Sequence, residues 1–158
     1  MTVEVGQAAP GFTLHDQDLN ERSLAEFQGK SVVLAFFPGA FTGVCTTEMC
    51  ALRDRADQFN SLNAQVLGIS VDPPFSQKAW ADANSLNFPV LSDFDRQVVA
   101  QYDVAFPNLG GMPGYTAANR AVFILDGEGV VRYRWLAPAL TDEPDYGEIQ
   151  AALDELSK

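Results

Sequence analysis

The sequence contains few of the residues on which many common protein activities depend. Its 158 residues include two cysteines, one histidine and only ten lysines and arginines against 21 aspartates and glutamates, which gives a net charge of −11. This negative charge repels nucleic-acid phosphates and anionic lipid headgroups, so neither nucleic acid nor a membrane is an expected partner. Two cysteines are too few for a disulfide scaffold, and with a single distant histidine they cannot make a tetrahedral zinc site without carboxylate ligands.

Long apolar segments and repeats are also missing. No stretch of the sequence approaches the roughly 20 apolar residues that a membrane-spanning helix needs, and residues 1–7 lack the basic flank and apolar core of a secretory signal. We therefore expect a cytoplasmic protein. The length of 158 residues, with 47% hydrophobic and 20% charged residues, is typical of one globular domain. We predict a single domain over residues 1–158.

The sequence does contain a regular alternation of strand-like and helix-like segments. Residues 31–37 and 66–71 are continuous apolar runs, typical of strands covered on both faces, and residues 42–60 between them have helical periodicity. These three segments predict a βαβ unit. Further helices are predicted over residues 76–85, 95–102 and 146–156, further strands over 88–91, 121–126 and 130–135, and an irregular loop over 106–115.

This order of elements indicates the class of fold. The last two predicted strands flank a turn at residues 126–129, so they form a β-hairpin at a sheet edge. The whole pattern predicts a thioredoxin-like α/β sandwich, in which a mixed central sheet carries helices on both faces. A flavodoxin-like sheet is the main alternative, but its strands are all parallel and a terminal hairpin does not fit it.

One cysteine occupies a position that favours chemistry. The chain leaves the first buried strand, turns at Pro38 and Gly39, and enters a helix near Thr42 or Gly43. Cys45 therefore falls in the first turn of that helix. There the unpaired backbone N–H groups and the positive end of the helix dipole favour an anion, and hence the thiolate. The sequence predicts a reactive cysteine at this position.

The residues around Cys45 resemble the peroxidatic motif of the peroxiredoxins. Pro38, Thr42 and Cys45 form the pattern P-x-x-x-T-x-x-C on a strand, a loop and the start of a helix. Arg120, just before a predicted strand, resembles the arginine that this family places downstream of the motif. Further segments similar to the family lie at residues 6–12, 67–72 and 88–93. The resemblance thus covers nearly the whole chain.

The resemblance implies a thiol-dependent peroxidase. Cys45 would attack the terminal peroxide oxygen and become a sulfenic acid while water or an alcohol leaves. Thr42 would bond to the peroxide, Arg120 would stabilise the thiolate and the transition state, and Pro38 would shield the thiolate from water. The backbone N–H groups of Val44 and Cys45 would complete the site. No metal, flavin or haem cofactor is implied.

The resemblance also indicates the partners. The expected substrates are hydrogen peroxide and small organic hydroperoxides, and the expected reductant is thioredoxin or a similar thiol. A homodimer is the expected assembly. These partners follow from the family alone, because no motif in the sequence specifies them.

Three side chains near the motif allow two interpretations each. Glu48, one turn after Cys45, either holds Arg120 in place or stabilises the helix start as an acidic residue of its first turn. Phe37 and Phe41 either line an apolar mouth that admits alkyl hydroperoxides or belong to the core. The core is the usual place for aromatic residues beside a buried strand, so we favour it for both.

Cys50 is the candidate resolving cysteine. Its spacing from Cys45 is similar to that in peroxiredoxin Q proteins, where both cysteines share one helix. Other segments are similar to the alkyl hydroperoxide reductase E group, whose better-known members work with one cysteine. Five residues along a helix separate two Cα atoms by about 8.6 Å, whereas a disulfide tolerates at most about 7 Å. Resolution by Cys50 therefore requires the first helical turn to unwind.

The helical wheel separates the two cysteines further. Met49, Leu52, Ala56 and Phe59 lie on the same side as Cys45 and form the predicted buried stripe. Cys50 lies about 140° away from Cys45 on a polar face, where an inert core cysteine would be misplaced. A passenger or secondary packing role for Cys50 is the alternative to resolution.

Other cysteine chemistries fit less well. A thioredoxin-type disulfide reductase uses C-x-x-C, whereas this chain has C-x-x-x-x-C. A cysteine hydrolase needs a histidine base, and His15, the one histidine, lies in an early strand-turn segment where a structural or surface role is expected. A non-enzymatic thiol-based peroxide sensor or interaction module of the same fold is the alternative from a different functional class.

Overall fold

The computed structural model describes residues 3–158. Met1 and Thr2, which belong to the predicted domain, lie outside the described residues. The strands and helices are β1 (Thr13–His15), β2 (Glu21–Ser23), β3 (Ser31–Phe36), α1 (Gly43–Asp54), α2 (Ala56–Ser61), β4 (Ala64–Ser70), α3 (Pro74–Ala83), β5 (Val90–Ser92), α4 (Gln97–Gln101), β6 (Ala105–Phe106), β7 (Ala117–Ala118), β8 (Ala121–Leu125), β9 (Val131–Leu136) and α5 (Tyr146–Leu156). Two short 3-10 turns cover Leu24–Phe27 and Leu109–Gly111.

Seven of the strands form one mixed sheet in the order β2-β1-β5-β4-β3-β8-β9. β3 and β5 both run parallel to β4, whereas β8 runs antiparallel to β3 and β9 runs antiparallel to β8. The predicted mixed sheet with a hairpin at one edge is therefore confirmed, and the all-parallel flavodoxin-like alternative is excluded. β6 and β7 form a separate antiparallel pair.

Helices cover both faces of this sheet, as predicted, but in unequal number. Because side chains alternate along a strand, β3 contributes Val33 and Ala35 to one buried layer and Leu34 and Phe36 to the other. The first layer packs against α1, α2, α3 and α5. The second packs against α4 and the 3-10 turn at Leu24–Phe27. Within residues 3–158, none of these helices is long and apolar enough to cross a membrane.

Three of the four predicted helices have different bounds in the structure. α4 covers Gln97–Gln101 rather than residues 95–102. The helix predicted over residues 42–60 is divided at Arg55, whose N–H donates to Leu52 O at 3.2 Å. The guanidinium of Arg55 lies 5.2 Å from the ring centroid of Tyr146 on α5, a tertiary contact that accompanies the break. α3 begins at Pro74 rather than at residue 76, because proline fits the first helical position, where its missing N–H needs no partner.

The topology brings distant parts of the chain to one edge of the sheet. The parallel strands β3, β4 and β5 all end at this edge. β8 is antiparallel to β3, with Ala121 opposite Phe36, so β8 begins where β3 ends. The loop that leads from β3 into α1 and the residue before β8, Arg120, are therefore neighbours in space.

Candidate active site

The structure places Cys45 in the first turn of α1, where the sequence predicts it. Thr42 is the N-cap residue, and the first bond of the helix runs from Thr46 N to Thr42 O at 3.0 Å. The backbone N–H groups of Gly43, Val44 and Cys45 precede this bond and have no acceptor within the helix. Their partial positive charge favours an anion at the N-terminus of α1, and the Cys45 side chain lies there.

Arg120 brings a full positive charge to the sulfur. Its Nη2 donates to Cys45 Sγ at 3.2 Å, its Nη1 donates to Glu48 Oε1 at 3.0 Å, and its Nε donates to Leu140 O at 2.9 Å. Arg120 is 2% exposed, and Cys45 and Glu48 are 0% exposed. Burial opposes the charge of the guanidinium, but attraction to Cys45 and Glu48 raises the pKa of Arg120 overall. Because the guanidinium of Arg120 is fixed by hydrogen bonds and shielded from water, its charge interacts strongly with Cys45 and Glu48.

Glu48 contacts Arg120, as one of its two interpretations predicts. The other is wrong, because Glu48 lies beyond the first turn of α1. Burial disfavours the ionised carboxylate and raises the pKa of Glu48 to about 7, although attraction to Arg120 opposes this change. Among residues 3–158, Glu48 Oε2 has no hydrogen-bond partner. One buried guanidinium thus faces two acids, the Cys45 thiol and the Glu48 carboxyl group. A proton on Glu48 leaves the charge of Arg120 available to the sulfur.

The stability of the protein is expected to depend on pH through Glu48. Its pKa is about 7 in the folded protein and 4.5 ordinarily, so the folded state binds more protons between these values. The stability that neutral Glu48 contributes is therefore lost as the pH rises through 7. From about pH 5 to about pH 8, the free energy of unfolding of the wild type is expected to fall relative to Glu48→Gln by up to roughly 3 kcal/mol. Urea denaturation of both proteins measures this difference, and parallel pH profiles would contradict the raised pKa.

The loop between β3 and α1 presents the hydroxyl group of Thr42. Thr42 is exposed, and its Oγ1 donates to Gly39 O at 2.7 Å instead of capping the helix. Because the hydroxyl proton is committed to Gly39, the lone pairs of Oγ1 are left to accept a hydrogen bond from a ligand. Pro38 is buried at the start of the same loop, directly after β3.

The two phenylalanines near the motif have different environments. Phe37 is fully buried, and its ring lies 5.0 Å from that of Trp80, so the prediction that it belongs to the core is confirmed. The same prediction is wrong for Phe41, which is 62% exposed. Phe41 has a φ of 64°, in a turn that carries the chain into α1 and directs its side chain outward. Its ring lies at the surface, next to Thr42 in the chain.

The first turn of α1 is also tied to α3, through residues that sequence analysis missed. Thr46 Oγ1 donates to Thr42 O at 2.9 Å and accepts a hydrogen bond from Trp80 Nε1 at 3.0 Å. A threonine next to a cysteine gives no sequence signal for such a contact, since the packing of α3 on α1 creates it. These two bonds keep closed the turn that carries Cys45.

Cys50 lies on a different side of α1 from Cys45. It is partly exposed, and its Sγ donates to Asn84 Oδ1 at 3.8 Å. The predicted buried stripe is confirmed, since Met49, Leu52, Ala56 and Phe59 are all buried. Both cysteines are free thiols. Because α1 runs unbroken over Gly43–Asp54, the helical separation of about 8.6 Å between their Cα atoms applies in this conformation.

The histidine does not contribute to the site, and the described residues provide no candidate metal site. His15 is in β1 opposite Ser92, and β5 and β4 lie between β1 and the strand that leads to Cys45. In the part of the chain that the structure describes, no group of three or more histidine, cysteine, aspartate or glutamate side chains is arranged to hold a metal ion. The site therefore consists of a thiol, a guanidinium, a carboxyl group, a hydroxyl group and backbone N–H groups.

The chain is similar in sequence and in fold to known proteins. The sequence model of the AhpC/TSA family matches residues 5–134. The chain is 42% identical over 130 residues to chloroplastic peroxiredoxin Q of Populus jackii, which covers 82% of this chain and 59% of that protein. It is 40% identical over 133 residues to alkyl hydroperoxide reductase E of Mycobacterium tuberculosis, covering 83% and 84% of the two chains. The crystal structure of peroxidoxin BcpB from Mycobacterium tuberculosis matches with a TM-score of 0.87 and 29% identity, over 98% of both chains.

Proposed function

Since the chain belongs to the AhpC/TSA family of peroxiredoxins and is a thiol-dependent peroxidase, we propose that Cys45 is its peroxidatic residue. The contact of 3.2 Å between Arg120 Nη2 and Cys45 Sγ, at a helix N-terminus, carries this proposal. Thr42 and Pro38 complete the site. Glu48 acts on the sulfur only through Arg120.

The geometry supports a direct displacement at the peroxide bond. The Cys45 thiolate attacks the terminal oxygen, the S–O bond forms as the O–O bond breaks, and the departing oxygen keeps both electrons. That oxygen takes up a proton and leaves as water or an alcohol, while Cys45 becomes a sulfenic acid. Arg120 stabilises the thiolate and the charge that develops on the departing oxygen. Thr42 Oγ1 accepts a hydrogen bond from the peroxide O–H and so orients the O–O bond.

The proposed substrates are hydrogen peroxide and small organic hydroperoxides. Cys45 is fully buried, which favours small molecules over bulky ones. The exposed ring of Phe41 offers an apolar contact for a short alkyl group beside the turn that carries the cysteine. Pro38 excludes water from the thiolate.

The proposed resolving residue is Cys50, and the proposed reductant is thioredoxin or a similar thiol protein. A sulfenic acid needs a second thiol, and Cys50 is the only other cysteine of the chain. The disulfide forms only after the first turn of α1 opens, which breaks the bonds of Thr46 to Thr42 and to Trp80. The reductant then reduces the disulfide by thiol exchange.

Thr46→Val is expected to accelerate formation of the disulfide between Cys45 and Cys50. Valine has nearly the same shape, but it removes the bond to Thr42 O and leaves Trp80 Nε1 without its acceptor. An unsatisfied buried donor costs about 1–2 kcal/mol, so the turn should open about 5- to 30-fold more often. Quenched time courses with mass spectrometry, after one equivalent of peroxide, measure the rate of disulfide formation.

Thr47→Val is the matched control for this prediction. The Thr47 hydroxyl is exposed and donates only to Gly43 O, so its loss leaves no buried group unpaired. We expect its rate of disulfide formation to stay within about twofold of the wild type. If Thr46→Val also formed the disulfide at the wild-type rate, these two bonds would not limit the opening of the turn.

Turnover with reductant tests the proposed function. Peroxide loss is followed at catalytic protein concentration with thioredoxin, thioredoxin reductase and NADPH, and separately with dithiothreitol. The expected result is sustained consumption over many turnovers. Loss of a single equivalent of peroxide with no further consumption under either condition would instead favour the alternative, a thiol-based peroxide sensor of the same fold.

We propose that residues 1–158 form one domain and that the protein is cytoplasmic. The proposed assembly is a homodimer. Phe41, Phe75 and Phe94 are 62%, 73% and 55% exposed and follow β3, β4 and β5, which end at the same edge of the sheet. Apolar side chains gathered at one edge support association with a second copy. The chain has only two cysteines, too few for a disulfide scaffold, which suits a reducing compartment. Sedimentation equilibrium tests the dimer.

A further inference from the structure

A carboxylate after β4 holds the loop that carries Thr42. Asp72 Oδ2 accepts a hydrogen bond from Ala40 N at 2.8 Å. Ala40 N belongs to the same planar peptide unit as Gly39 O, which accepts the hydrogen bond from Thr42 Oγ1 at 2.7 Å. One peptide unit is therefore fixed by Asp72 at its N–H and bonded to Thr42 at its carbonyl oxygen.

Asp72 is itself held by groups outside this loop. Ser70 Oγ donates to Asp72 Oδ2 at 2.7 Å, and Gln77 Nε2 on α3 donates to Ser70 Oγ at 2.9 Å. Gln77 Nε2 also donates to Leu91 O at 2.9 Å, and Ser92 Oγ donates to Asp72 O at 2.6 Å. Ser70, Gln77 and Ser92 are fully buried. The carboxylate is thus held by Ser70 of β4, which Gln77 of α3 holds in turn, and β5 holds the backbone of Asp72.

The peptide unit between Gly39 and Ala40 needs such an anchor. Gly39 has no Cβ, so its backbone dihedral angles, which help to set the orientation of this peptide unit, are less restricted than those of other residues. If the unit turned, Gly39 O would leave Thr42, and the hydroxyl group would be free to present its proton instead of its lone pairs. The charge of the carboxylate also polarises the peptide unit and strengthens Gly39 O as an acceptor.

We propose that Asp72 is a positioning residue for peroxide reduction, which acts by fixing the peptide unit that orients the Thr42 hydroxyl. This role rests on the proposed function, in which Thr42 accepts a hydrogen bond from the peroxide. It separates two properties of the site. Arg120 and the start of α1 determine the reactivity of the thiolate, whereas Asp72, through Thr42, determines how the peroxide is placed against it.

Two reactions of Cys45 measure these properties separately. In a Cys50→Ser background, the rate constants are determined for oxidation by hydrogen peroxide and for alkylation by iodoacetamide. Iodoacetamide has no O–H group to donate to Thr42, so its reaction does not depend on that hydrogen bond. Asp72→Ala is expected to lower the oxidation rate constant about 10- to 100-fold. Alkylation is expected to change less than about twofold, because Arg120 and the helix N-terminus are intact.

Three further variants show whether Asp72 acts through Thr42. Asp72→Asn keeps an oxygen acceptor for Ala40 N and is expected to oxidise within about threefold of the wild type. In a Thr42→Val background, Asp72→Ala is expected to change oxidation less than about twofold, since the group that it positions is already absent. Asp82→Ala removes the same charge from an exposed position on α3 and is the control.

The outcomes separate this role from the proposed function. Equal oxidation rates for Asp72→Ala and the wild type would overturn the role of Asp72, as would an equal loss with and without Thr42 or a parallel loss of alkylation. If Asp72→Ala does not fold, Asp72→Ser, which is too short to reach Ala40 N in the same way, takes its place. If peroxide does not oxidise Cys45 even in the wild type, the proposed function fails and this role fails with it.

Discussion

Replacing Cys45 with serine is expected to abolish peroxide reduction. Serine fits the same place in the first turn of α1, but its hydroxyl group is not ionised at neutral pH even beside Arg120. It also cannot form a sulfenic acid, so no covalent intermediate is available. We expect the rate of peroxide consumption with dithiothreitol to fall more than roughly a thousand-fold, the scale of losses when a catalytic nucleophile is removed.

Cys50→Ser is the matched control for this variant. It makes the same exchange of sulfur for oxygen on the same helix, at a side chain that contacts Asn84 rather than Arg120. The first oxidation of Cys45 is expected to keep its rate within about twofold, because Cys50 takes part only afterwards. If peroxide consumption persisted in Cys45→Ser but was lost in Cys50→Ser, Cys50 rather than Cys45 would be the nucleophile.

Arg120→Met is expected to slow the oxidation of Cys45 by roughly a hundred- to a thousand-fold. Methionine fills part of the same volume but removes the N–H group that lies 3.2 Å from the sulfur. The positive charge then no longer stabilises either the thiolate or the departing oxygen. Alkylation by iodoacetamide is expected to fall as well, since the thiolate itself loses its partner. This distinguishes Arg120→Met from Asp72→Ala, which should leave alkylation unchanged.

The fold is expected to survive the loss of Arg120, which keeps the experiment interpretable. Removal of one partner of a buried ion pair is costly when the other stays charged. Here Glu48, with a pKa of about 7, can take up a proton instead. Arg132→Met, which breaks the exposed pair with Asp126, is the control for loss of a positive charge. Oxidation at the wild-type rate in Arg120→Met would contradict the role of the guanidinium.

Much of the fold could be predicted from the sequence, because its central strands are long apolar runs and its last helix has a clear apolar stripe. β1 and β2 were not predicted in their observed form, since each has only three residues. Such short edge strands carry too little pattern to be distinguished from loops. The break between α1 and α2 is accompanied by a contact between Arg55 and Tyr146, which are far apart in the chain. Local periodicity contains no information about that contact.

Local sequence patterns predict only part of the candidate site, because they do not show which distant residues meet. The motif specifies Thr42 and Cys45 by their spacing, but Arg120 is 75 positions from Cys45, and only the antiparallel pairing of β8 with β3 brings them together. Asp72 lies directly after the apolar run of residues 66–71, and no pattern in the sequence assigns it a role in the site. The signal that identifies it is topological, since parallel strands end at one edge and the residue after β4 lies beside the loop that follows β3.

Mass spectrometry after one molar equivalent of hydrogen peroxide, without reductant, tests most directly whether Cys45 is the nucleophile. Cys50→Ser is expected to gain one oxygen atom on the peptide that contains Cys45. The wild type is expected to lose two hydrogens as Cys45 and Cys50 form a disulfide, and a wild type that keeps the oxygen on Cys45 would exclude Cys50 as the resolving residue. Peroxide consumption that leaves Cys45 unmodified in Cys50→Ser would contradict the assignment of Cys45.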